Sequence, residues 1–148
     1  MAATKAIRLD VPIQQPSRIF RSTSTVLAGL AFVIIITTAT DALMHATGIF
    51  PIFGQAMAGS LFLLALAYRT VYGLTGGYIV ARFAPQNPIK HAVVLGLFGF
   101  VLGTAGTLAT WDRGPEFGPK WYAIAVIIIA IPSSWLGGKL QRAYGGEE

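Results

Sequence analysis

Four stretches of this chain contain no aspartate, glutamate, lysine or arginine: residues 22–40, 42–68, 91–111 and 121–138. A helix of about 20 apolar residues crosses the ~30 Å hydrocarbon core of a bilayer, and it satisfies its own backbone polar groups on the way. A soluble domain needs roughly 25% charged residues to face water. This chain has 11% charged and 54% apolar residues, with a mean hydropathy of +0.63. Those values exclude a soluble globule, a disordered tail and a nucleic-acid binder, in spite of a net charge of +5. The sequence reads as an integral membrane protein.

The intervals accommodate four crossings, expected near 22–46, 55–83, 89–111 and 119–142. The expected fold is an all-α, antiparallel four-helix membrane bundle. Residues 1–21 form a basic N-terminal segment and 143–148 a flexible tail. Ile7, Leu9, Val11 and Ile13 alternate with polar residues in that lead, while Pro12 and Pro16 argue against a long helix. The first apolar run follows a long polar lead and exceeds a typical signal-peptide core, so it is expected to be a retained span.

Lys5, Arg8, Arg18, Arg21, Arg82, Lys90, Lys139 and Arg142 fall on one side of this arrangement, and only Arg113 and Lys120 on the other. Positive residues favour the cytoplasmic face, so both termini are expected there. The basic rim is expected to meet anionic lipid headgroups and needs no nucleic acid. Trp111, Trp121, Tyr122 and Trp135 lie near span ends, where amphipathic rings anchor.

Small residues carry the most regular pattern. Ala92, Gly96, Gly99, Gly103, Gly106 and Thr110 recur at alternating spacings of four and three in the third span, a 3.5-residue period. Gly73 and Gly77 form a second small-residue motif in the second span. Lipid is as apolar as leucine, so helices in a membrane associate by close backbone approach, which such residues permit. The stripe is expected to pack against a neighbouring helix of the same chain or against another copy. Gly76-Gly77 before Arg82 and Gly137-Gly138 before Arg142 also hint at an internal duplication. Pro132 removes a backbone donor inside the fourth span, and Ser133 and Ser134 stand ready to satisfy the freed carbonyl.

One polar cluster is buried by position. Arg69 lies thirteen residues from Ala56 and from Arg82, in mid-membrane. Asp41, with His45 one turn further on, sits toward the outer end of the first span. Side chains lean toward their own helix N-terminus, which brings Arg69 and Asp41 together from opposite directions, with Tyr68 or Tyr72 completing the network. An intramembrane charge costs ~2.5–3.5 kcal/mol unless it is paired. The cluster is either a site for a proton, anion, headgroup or small solute, or an ion pair that sets helix register.

No catalytic residue, metal site or cofactor is expected. There is no cysteine, and His45 and His91 lie at opposite ends of the spans. Ser133-Ser134 has no nearby base. The residues Gly76-Gly77-Tyr78, Ala84-Pro85, Pro88, His91, Leu95-Gly96, Ala109-Thr110-Trp111, Trp121-Tyr122 and Trp135-Leu136-Gly137-Gly138 resemble small uncharacterised four-span bacterial membrane proteins. That resemblance implies a location in the bacterial inner membrane and supplies no activity. Small multidrug exporters keep a central glutamate in their first span, where this chain has Val33–Ile36. The expected role is assembly, as an accessory subunit of a membrane complex or a homo-oligomer. The alternatives are a small-solute or ion transporter or channel that uses the Asp41/Arg69 cluster, and a lipid- or cofactor-binding protein.

Overall fold

The computed structural model describes residues 18–145. Most of the expected basic lead (1–17) and half of the expected tail (146–148) lie outside the described residues. The described chain is all-helical: α1 (Arg18–Ala46), α2 (Gly59–Phe83), α3 (Pro88–Thr110), a single 3-10 turn (Pro115–Phe117) and α4 (Lys120–Tyr144). α1 starts four residues before its charge-free interval, and α2 starts four residues later than residue 55. Gly54 adopts φ +87° in the connection before α2, a left-handed conformation that glycine enters without strain and that interrupts helix.

The stretches Ile19–Ala46, Pro88–Thr110 and Pro115–Tyr144 are long and apolar enough to cross a membrane, which marks a membrane protein. α2 has the length, 25 residues or about 37 Å at 1.5 Å per residue, but lacks the hydropathy. Arg69 and the tyrosines at 68, 72 and 78 dilute it.

α4 packs extensively on α2 and α3, while α1 lies against α2 and α3. One end of the protein gathers the start of α1, the end of α2, the start of α3 and the end of α4. Ser22 there bonds His91, the Thr25 hydroxyl reaches the Phe83 carbonyl at 3.4 Å, and Arg82 Nη1 reaches the Gly145 carbonyl at 3.4 Å. We call this the basic end, because the three carboxylates of residues 18–145 (Asp41, Asp112 and Glu116) all belong to the other half.

The other half buries Phe50, Phe62 and Ala65, but the helices approach most closely in the basic half. Val26, Val80 and Leu95 form its apolar centre, and Ala81, Ala92, Gly96, Ser134, Gly137 and Gly138 are buried around them. A Cβ on Gly77 would overlap the Ser134 carbonyl, and one on Gly137 would overlap the Leu74 carbonyl and lie 2.7 Å from the Tyr78 nitrogen. Two glycines, one on each helix, therefore let α2 and α4 touch backbone to backbone. Gly96 and Gly138 do the same between α3 and α4: a Cβ on Gly96 would stand 2.8 Å from Ile131 Cα, and one on Gly138 2.7 Å from Ala92 Cβ. The Ser134 hydroxyl locks this contact by donating to the Ala92 carbonyl at 2.6 Å. The Ser133 hydroxyl bonds the Ala130 carbonyl at 3.2 Å. The serine pair thus serves a carbonyl across the interface and one a turn back, not the Ile128 carbonyl that Pro132 frees.

The small-residue stripe of α3 divides in two. Ala92 and Gly96 are buried against α4, whereas a Cβ on Gly99 or Gly103 would make an ordinary 3.4 Å contact and one on Gly106 would meet nothing within 4 Å. The facing residues of α4 explain the change. Ser134 and Gly138 oppose the inner part, and the larger Ile127 opposes Gly103, so the helices separate toward Thr110.

Candidate functional site

In the half away from the basic end, polar side chains of α1 and α2 face open space. Asp41 belongs to the penultimate turn of α1, and Tyr68 and Arg69 are neighbours near the middle of α2. Arg69 Nη2 donates to Asp41 Oδ2 at 2.5 Å, and the Tyr68 hydroxyl donates to Asp41 Oδ1. Each carboxylate oxygen thus has its own donor, as a carboxylate taken out of bulk water requires. The pair is not sealed: about a third of each side chain is accessible, 32% for Arg69 and 30% for Asp41. Arg69 Nε, in contrast, is buried without a hydrogen-bond partner among the described residues.

Tyr72, one turn beyond Tyr68, does not bond the carboxylate. Its hydroxyl donates to Thr40 Oγ1 at 2.9 Å, because the Thr40 hydrogen is used on the Ile36 carbonyl at 2.8 Å. The rings of Tyr68 and Tyr72 lean together at 5.7 Å, so Tyr72 steadies Tyr68. Tyr68 holds the position that the sequence leaves open between the two.

His45 faces the same space without touching Asp41. Its Nδ1 donates to the Pro51 carbonyl at 2.6 Å, and its ring stacks on Phe53 at 3.9 Å and meets Phe50 edge-on at 5.5 Å. These contacts fold the α1–α2 connection over the end of α1. Asp41, His45, Tyr68 and Arg69 then line a cavity of about 540 Å³, joined by Glu116 and Tyr122 from the far side. Phe62, whose ring lies 4.9 Å from that of Tyr122, forms part of the wall. A second space of about 140 Å³ lies deeper, beside Thr37, Gly73 and Ser133. Arg69 lines both, so it stands between them.

The arrangement suits recognition better than bond-making. A carboxylate with both oxygens occupied is a poor base, and among the described residues no three His, Asp or Glu side chains gather for a metal. A guanidinium beside the hydroxyls of Tyr68 and Tyr122 and aromatic walls can hold a small polar or amphiphilic molecule.

Sequence reasoning locates Asp41, His45 and Arg69 but misses Glu116, Phe117 and Tyr122, which enter from the α3–α4 connection and the start of α4. Nothing local marks them: Tyr122 reads as an interfacial anchor, and only packing brings it opposite Phe62. The missed partners of Gly77 and Gly96 had a signal, since Ser133 to Gly137 and Ser134 to Gly138 repeat the four-residue spacing of small residues. No family model, curated protein or solved structure matches this chain.

Proposed function

We propose that this is a multi-pass protein of the bacterial inner membrane, an antiparallel four-helix bundle with both termini in the cytoplasm. Its task is to bind a small polar or amphiphilic ligand in the outer cavity. The observation that carries this reading is the accessible Asp41–Arg69 pair at a cavity of about 540 Å³. An ion pair that only sets register needs no such space beside it, and pockets for organic ligands span roughly 300–1,000 Å³. The close packing around Val80 and Ser134 in the basic half supports binding over free passage.

Native mass spectrometry of protein taken gently from its own membrane tests the reading. Wild type should carry a small-molecule adduct that a folded Asp41→Asn/Arg69→Leu protein has lost. An identical adduct on the double variant, or none on either protein, refutes it.

A second reading, assembly with another membrane protein or another copy, draws on the outer part of α3. Gly106 faces nothing within 4 Å in the single chain. Enlarging it with Gly106→Leu should then reduce oligomer size in mild detergent, and an unchanged size removes this reading.

A further inference from the structure

At the basic end, two cavities meet between α1 and α3 and share three residues. One, of about 250 Å³, is lined by Ile19, Ser22, Pro85, Asn87, Lys90 and His91. The other, of about 350 Å³, runs from Ser22, Lys90 and His91 down past Val26, Leu27, Val94 and Phe98. From Lys90 to Phe98 is eight residues, about 12 Å along the helix. Over that distance the lining changes from cationic and hydroxyl-bearing to wholly apolar. A polar chamber that opens into an apolar groove, at the level where two membrane-crossing helices begin, has the shape of an amphiphile held head-outward.

Charge selects the kind of amphiphile. The Lys90 ammonium has no ion-pair partner among the described residues. No carboxylate in residues 18–145 lies in this half, whereas Arg21 and Lys139 add to its positive field. α3 starts here with no acidic residue in its first turn and no side-chain cap. Its positive dipole end therefore faces the same chamber. His91 is held in place: Nδ1 donates to the Asn87 carbonyl at 3.2 Å, which leaves Nε2 to accept from the Ser22 hydroxyl. That bond ties α1 to α3 across the top of the groove and keeps it open below. Val94 and Leu27, on opposite walls, are 40% and 51% exposed, so the groove is accessible along its length.

We propose that this groove is a binding site for one anionic phospholipid of the leaflet at the basic end, its phosphate on Lys90 and one acyl chain between Leu27, Val94 and Phe98. The inference is independent of the outer cavity and its ligand. It goes beyond general attraction of a basic rim to headgroups, because it requires a chain-filled groove as well as charge.

Full-length protein in neutral detergent, offered phosphatidylglycerol or phosphatidylcholine with identical chains, tests it by native mass spectrometry. Phosphatidylglycerol should be retained in preference, and Lys90→Gln should weaken it about fivefold, as one interfacial cation predicts, with little effect on phosphatidylcholine. Val94→Phe, which fills the groove on an exposed position, should weaken lipid retention without lowering the melting temperature. Leu27→Phe on the opposite wall repeats the test if Val94→Phe fails to fold. Equal retention of both lipids, or an unaltered Lys90→Gln, overturns the proposal. So does glycerol phosphate that competes as well as the intact lipid, which would make the site one for free phosphate. A disulfide formed in the full chain between Val94→Cys and a cysteine placed in residues 1–17 would assign the groove to the chain's own N-terminal segment, and also overturn it.

Discussion

Replacing single glycines inside the helices by alanine should change stability with opposite signs at the tight and the open contacts of the protein. At Gly77 the added methyl overlaps the Ser134 carbonyl, and at Gly137 it overlaps the Leu74 carbonyl. Both obstacles are backbone atoms of a facing helix and cannot rotate away, so α2 and α4 must move apart. Overpacking typically costs ~1–3 kcal/mol, and a backbone obstacle places these two near about 3 kcal/mol. At Gly96 the methyl lies 2.8 Å from Ile131 Cα, which predicts a cost of about 1–2 kcal/mol. At Gly106 there is nothing within 4 Å, and alanine gains ~0.5–1 kcal/mol over glycine inside a helix. Thermal unfolding of purified protein in one detergent, followed by far-ultraviolet circular dichroism, should therefore order the melting temperatures as Gly106→Ala above wild type, then Gly96→Ala, then Gly77→Ala and Gly137→Ala lowest. Wild-type stability for Gly77→Ala, or a loss at Gly106→Ala equal to that at Gly77→Ala, would falsify the division of α3 and α4 into a tight and an open half.

Three further outcomes are expected. The chain has no native cysteine, so single cysteines at Ser17, Gln55, Gln86 and Gly118 report topology in intact cells without background. Positions 55 and 118 should react with an impermeant thiol reagent while 17 and 86 stay shielded, and labelling of 55 together with 86 contradicts the four-crossing arrangement. For Asp41 and Arg69, a double-mutant cycle with Asp41→Asn and Arg69→Leu should show about 1–3 kcal/mol of coupling, below the fully buried value because a third of each side chain is accessible. Additive losses mean that the two residues do not meet. Tyr68→Phe removes one of two donors to the carboxylate and should destabilise by about 1–2 kcal/mol, whereas Tyr72→Phe removes only a hydroxyl–hydroxyl bond and should cost less; the reverse order in chemical or thermal unfolding refutes the assignment of Tyr68.

The sequence by itself determined the class of the molecule. A charge-free, apolar run of about 20 residues with few breakers satisfies its backbone in lipid as a helix, within its own segment, and that rule acts locally. The Asp41–Arg69 contact was legible for the same reason, because helical rise and side-chain lean convert positions in two spans into heights and directions. What the sequence could not express was which helix meets which, since that depends on the size of the side chain opposite each glycine. Six small residues at even spacing read as one seam, yet Ser134 and Gly138 close it at one end and Ile127 holds it open at the other. The tertiary structure alone decided that Tyr68 and not Tyr72 bonds Asp41. It also drew Glu116 and Tyr122 across to the cavity and made Lys90 the head of a groove. Each of these is a non-local contact, and no periodicity within a single helix encodes the shape of the surface it will face.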